Sequence, residues 1–134
     1  MKKRICLVAA NYYPKISKAL INASSKILKS RGIIDYKLFK VPGVFEIPFV
    51  ISKNINRYDG FIALGCVIKG ETPHFDFISR SSINGIMHLS FTYRKPIANG
   101  IITCLNKKQA LARSSKSNNK GAESAKALIS LLKI

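Results

Sequence analysis

The sequence predicts an α/β fold in which one parallel four-stranded sheet lies between two layers of helices. Three observations predict it. Four short apolar runs, none longer than about nine residues, have the length and two-sided burial of strands in a parallel sheet. Segments with roughly helical spacing of apolar residues separate them. Gly, Pro and Asn stand at the junctions, where chain direction changes.

Ile5 to Ala10 is the first strand, preceded by Lys2, Lys3 and Arg4. Pro14 suits the first turn of a helix, and Ile16, Leu20, Ile21, Ile27 and Leu28 carry its apolar face to Arg31-Gly32, a helix stop. Tyr36 to Val41 is the second strand, broken by Pro42-Gly43. Phe45, Phe49, Val50 and Ile55 suggest a second helix with Pro48 in its first turn. After the turn at Tyr58-Asp59-Gly60, Phe61 to Ile68 is the third strand. Gly70 to Pro73 forms a loop before a long helix from about Phe75 to Tyr93. Pro96 opens the fourth strand, Ile97 to Leu105. Asn106 caps a short helix through Arg113, and the polar stretch Ser114 to Asn119 leads to a last helix, Gly121 to Leu132. Alternating strands and helices with right-handed crossovers make a three-layer sandwich of flavodoxin-like type, in one domain spanning residues 1–134.

Composition narrows the function classes. The chain has 134 residues, 47% of them hydrophobic, enough for a core without a metal or disulfide staple. Cys6, Cys66 and Cys104 each lie in an apolar run with no CxxC pair, as buried free thiols do in a reducing compartment. No apolar run reaches the roughly 18 residues of a membrane span, and the run after the basic start, cut off at Asn11-Tyr12-Tyr13-Pro14 without a small-x-small cleavage site, is too short for a signal peptide. A cytoplasmic protein is therefore expected. The net charge is +17, from 23 basic and 6 acidic residues. In sequence order the lysines are scattered, without blocks or interleaved aromatics, so a nucleic-acid partner is not expected.

Sheets of this type bind ligands beyond the carboxyl ends of their strands. The richest segment there is Gly65-Cys66-Val67-Ile68-Lys69-Gly70-Glu71-Thr72-Pro73-His74-Phe75-Asp76. It runs from a strand end through a loop to a helix N-terminus, which favours an anion, and it sets a proton-transferring imidazole beside it. A capped helix whose histidine merely bonds the loop would look the same. His74-x-Asp76 lacks the further ligands of a metal site. Val41-Pro42-Gly43-Val44-Phe45-Glu46 presents backbone and a carboxylate at a strand end, and Tyr12 offers a ring for stacking on a planar heterocycle. Arg113 and Lys120 bracket a polar loop within reach of a phosphate. Each of these also has a plain structural reading, as a turn, a rim aromatic or a solvated loop.

Together, Val41-Pro42-Gly43-x-Phe45-Glu46-Ile47-Pro48, then Leu64-Gly65 through Asp76, then Asn119-Lys120-Gly121 resemble the signature segments of the lumazine synthase family, in the same order and at matching separations. The resemblance covers nearly the whole chain. It implies condensation of 5-amino-6-(D-ribitylamino)uracil with 3,4-dihydroxy-2-butanone 4-phosphate, without metal or organic cofactor, to give 6,7-dimethyl-8-ribityllumazine, phosphate and water. It also implies a role for each matched residue. His74 transfers protons, and Tyr12 stacks on the pyrimidine. Val44, Phe45 and Glu46 hold the ribityl chain, while Cys66, Val67 and Ile68 read the uracil edge through their backbone. Glu71, Thr72 and Arg113 bind phosphate, and Lys120 lies near the site. Asn99 falls where an aromatic residue commonly reaches in from a neighbouring subunit. Asn11 stands for a frequent Arg, Tyr12 for a Phe or Trp, and the Ser114 to Asn118 loop is shorter and less Gly-rich than usual. Family sites lie between subunits of a pentameric ring, and a homopentamer is favoured here over a larger shell. The start directly at the first strand and the missing Gly-rich kink both point that way.

Overall fold

A computed structural model describes residues 2–134. Its elements follow the predicted order: β1 (Ile5–Ala10), α1 (Pro14–Ser30), β2 (Tyr36–Val41), a 3₁₀ turn (Val44–Glu46), α2 (Ile47–Lys53), β3 (Gly60–Ile68), α3 (His74–Tyr93), β4 (Ile97–Cys104), α4 (Lys107–Arg113) and α5 (Lys120–Leu132). The strands are all parallel, in the order β2-β1-β3-β4. From β1 the chain crosses to β2 on one side and then to β3 on the other. The switch point between β1 and β3 is therefore the place where a ligand crevice opens.

Burial explains the strand assignments. Every residue of β1 is buried, as are the first seven of β3, because both strands have helices on each face. One core forms where Leu7, Ile62, Leu64 and Ile102 meet Leu20 and Leu28 of α1 and Leu128 of α5. The other packs Val8, Phe61, Ala63 and Ile101 against Ile47 and Ile51 of α2 and Ile86 of α3. Neighbouring residues along a strand thus serve opposite layers, which fixes the register. No helix among the described residues is long and apolar enough to cross a membrane.

Helix ends obey their local chemistry. Pro14 opens α1, and Gly32, at φ 81°, turns the chain out of it. Asn106 Oδ1 accepts from the Gln109 N–H at 2.9 Å, capping α4 as predicted. Asn119 does the same for α5, accepting from Gly121 and Ala122, so that helix begins at Lys120, one residue before its expected start. The second helix is the main departure. Val44 to Glu46 forms a 3₁₀ turn, the α-helix begins at Ile47 and ends at Lys53, and Ile55 lies beyond it. Phe45 and Phe49 face solvent at 61% and 69% exposure rather than the core. Their helical spacing with Val50 reflects an apolar surface, not a buried face.

Candidate active site

Two hollows hold the predicted residues apart from Glu71 and Thr72. The larger, about 480 Å³, opens at the switch point. Its walls are Tyr12 and Tyr13 after β1, Pro42 to Glu46 after β2, Cys66 to Ile68 at the end of β3, and His74 with Ile78 on the first turns of α3. The smaller, about 340 Å³, runs beside the edge strand β4 and contains Asn99, Thr103, Arg113, Asn118, Lys120 and Glu123. No residue lines both. The sequence groups Arg113 with Glu71 and Thr72 as one phosphate set; within a single chain the structure separates them. Glu71 and Thr72 stand exposed on the loop before α3 and line neither hollow, whereas Arg113 ends α4 across the sheet edge.

The β3 strand outruns β1. Pairing between them ends at Ala9 with Leu64, while pairing with β4 continues to Ile68 with Cys104. The last residues of β3 therefore present backbone N–H and C=O groups on the side facing the larger hollow. Such groups must find partners or water, and a planar heterocycle with its own donors and acceptors fits that edge. Sequence alone marks Cys66 to Ile68 as a strand end; only the unequal strand lengths show why their backbone is free.

Glu46 is held by its own turn. Its Oε1 accepts from the Gly43 N–H at 2.8 Å, and its N–H donates to the Gly43 carbonyl at 3.2 Å. One carboxylate oxygen fixes the turn while the other is left for a ligand hydroxyl. Tyr12 is 71% exposed and meets the ring of Tyr13 edge-on, with centroids 5.0 Å apart. Its face is open for stacking. His74 is the first residue of α3, and its N–H lies 3.4 Å from Thr72 Oγ1. Thr72 Oγ1 thus accepts within the loop, and its hydroxyl proton stays free to donate. Ile78, one turn on, backs His74 in the hollow at the i, i+4 position.

In the smaller hollow, Arg113 donates to the Thr103 carbonyl at 3.3 Å and Lys120 pairs with Glu123 at 3.2 Å. Asn99 Oδ1 accepts from the Ile101 N–H at 3.0 Å, leaving its amide group to donate. Glu123 and Thr103 escape sequence reading, although Lys120 and Glu123 at i, i+3 signal their pairing. Among the described residues no cluster of three metal-ligating side chains occurs.

The three cysteines are free and buried. Burial pushes the Cys6 thiol up to about 12, and burial with the neighbouring Cys104 pushes Cys66 up to about 12. Burial raises Cys104 too, against the pull of Arg113. A raised thiol stays protonated through neutral pH, so Cys66 contributes packing and backbone rather than a nucleophile. The folded protein is expected to leave all three thiols unmodified by a thiol-disulfide reagent at pH 8. Denaturant should release all three; rapid native labelling of Cys66 would contradict this.

Residues 2–134 match the family profile described as 6,7-dimethyl-8-ribityllumazine synthase. The chain belongs to the lumazine synthase family. Similar proteins of that name occur in Afipia carboxidovorans (38% identical, covering 98% of this chain and 85% of the relative) and Bartonella tribocorum (38%, 98% and 89%). The relative in Leuconostoc mesenteroides is 39% identical over 98% of this chain and 88% of its own length. The likeness of lumazine synthases to this chain thus spans both hollows.

Proposed function

We propose that the protein is a working 6,7-dimethyl-8-ribityllumazine synthase, a transferase of riboflavin biosynthesis acting in the cytoplasm, whose sites are completed between subunits of a homopentamer. The observation that carries the reading is the larger hollow. A stacking ring, a turn-held carboxylate, an open strand edge and a histidine converge at the switch point.

The pyrimidine lies on Tyr12 with its uracil edge along Cys66 to Ile68, and the ribityl hydroxyls bond the free Glu46 oxygen and the backbone of Val44 and Phe45. The 5-amino group attacks a carbonyl of the butanone phosphate, and loss of water gives an imine. Loss of the C3 proton with departure of phosphate from C4 gives an enol, which tautomerises to a methyl ketone at C3. The ribityl-bearing nitrogen closes the ring on that new carbonyl with loss of a second water. Each stage moves protons between nitrogen, carbon and oxygen, and His74 is the imidazole within reach of all of them. Positioning supplies the rest of the acceleration, because two substrates are held as one.

Phosphate needs cations, and the larger hollow has neither Arg nor Lys. Arg113 and Lys120 line the other hollow with Asn99, at the exposed side of β4. A closed ring brings that edge of one subunit against the larger hollow of the next, so each site joins His74 of one chain to Arg113 of its neighbour. Thr72 and Glu71 on the loop before α3 stand at the junction. Exposed apolar residues suit such an assembly. Phe45, Phe49, Phe77, Met87 and Phe91 all face outward on the 3₁₀ turn, α2 and α3.

The test mixes purified protein with both substrates and follows lumazine absorbance over the uncatalysed background. Turnover is expected, with Arg113→Ala raising KM for the butanone phosphate at least tenfold. An assembled protein that gives only the background rate would overturn the reading.

A further inference from the structure

The charge that is scattered along the sequence is ordered in space. On α1, Lys15, Lys18, Lys26 and Lys29 are all exposed, with Asn22 between them. At 3.6 residues per turn these positions fall within an arc of about 80° and form a row about 21 Å long. α1 contains no Asp or Glu. Exposed Arg31 follows the helix end, and exposed Lys126 and Lys133 lie on and just past α5, which packs against α1. Among the described residues, cation–carboxylate pairs form only between Lys2 and Asp35 and between Lys120 and Glu123, so the row itself is unpaired.

The arrangement runs against helix stability. Lys15 and Lys18 sit in the first turns, where the helix dipole disfavours cations and an acid would help. Lys15 with Lys18, and Lys26 with Lys29, are like-charge pairs at i, i+3. Such a face is relieved by a polyanion lying along it, with release of the polyanion's counterions.

We propose that the exposed face of α1 binds the phosphate backbone of single-stranded RNA. A single row of cations tracks one strand, and without an exposed aromatic on α1 it reads charge but not bases. A bilayer is the poorer fit. Interfacial helices insert an apolar face, and α1 spends Ile16, Leu20, Ile21 and Leu28 on the core. This surface lies on the exposed side of α1, none of whose residues lines either hollow, and the exposed phenylalanines lie with α2 and α3. It takes no part in the catalytic reading, which stands or falls separately.

The experiment measures fluorescence anisotropy of a labelled 20-nucleotide oligouridylate against the intact protein between 50 and 200 mM salt. Four phosphate contacts on a single strand predict about a 50-fold loss of affinity over that range. Replacing Lys15, Lys18, Lys26 and Lys29 by Gln should abolish this binding and leave lumazine formation unchanged. A second variant removes the same charge elsewhere, replacing Lys37, Lys40, Lys107 and Lys108 by Gln, and should still bind. Equal loss in both variants would reduce the effect to net charge and overturn the proposal. So would binding to phosphatidylserine vesicles without binding to the RNA.

Discussion

Replacing His74 by alanine is expected to slow lumazine formation by about 10²-fold or more, the usual contribution of a positioned acid–base group. The fall should appear in kcat, with little change in KM for the pyrimidine. In the proposed site Tyr12, Glu46 and the open edge of β3 would make the binding contacts, and none of them depends on the imidazole. His74 is exposed at the start of α3, so its loss opens no cavity and thermal stability should change little. Steady-state rates at saturating substrate, with melting curves for both proteins, separate the two effects. A variant with wild-type kcat would remove His74 from the chemistry. The pH profile of kcat should flatten in the variant if the proton-transferring group has gone with it.

Gly121→Ala is expected to destabilise the fold by about 3 kcal/mol, at the upper end of overpacking costs. That corresponds to a fall of about 10 °C in melting temperature for a chain of this length. A Cβ at this position would lie 2.2 Å from the backbone oxygen of Leu20, where no side chain can give way. The close approach is fixed by bonds on both sides of it. Ser24 Oγ donates to the Gly121 carbonyl at 2.7 Å, and the Asn119 cap holds the Gly121 N–H at 2.8 Å. Relief requires α5 to move away from α1. Because Lys120 and Glu123 ride on the start of α5, such movement also displaces one wall of the smaller hollow. Thermal melting and the KM for the butanone phosphate should therefore change together. An alanine variant that melts like the parent would show that the helices part at no cost.

Residues such as Asn106 and Pro14 announce their roles because capping and fixed φ are local effects. The same holds for the apolar runs of β1 and β3, whose burial on both faces leaves no alternation to misread. Phe45 and Phe49 are harder to read. An apolar side chain exposed on a helix surface has the same spacing as one turned toward a core, so the sequence pattern does not tell them apart. The site shows the same division. Tyr12, Glu46, Cys66 and His74 come together because each lies near or just past a strand end or opens a helix, and the topology of parallel sheets makes those places neighbours. The separation of Arg113 and Lys120 from His74 depends on which strand lies at the sheet edge, and that order is a tertiary fact. The acceptor role of Thr72 Oγ1 toward the His74 N–H is likewise set by the loop conformation.

A site shared between neighbours is the centre of the account, and co-assembly of two impaired variants, assayed at a butanone phosphate concentration far below the KM of Arg113→Ala, tests it most directly. His74→Ala lacks the proton-transfer group and Arg113→Ala lacks the phosphate cation. Each ring made of one variant carries a defect in every site. When the two are unfolded together and reassembled in equal amounts, some interfaces pair the intact His74 of one chain with the intact Arg113 of the next. Random mixing around a closed ring makes about a quarter of the sites whole. The account predicts recovery of roughly that share of wild-type turnover, with mixed rings verified by native mass spectrometry. Verified mixed rings no more active than the average of the two parents would place His74 and Arg113 in the same subunit's site, and contradict it.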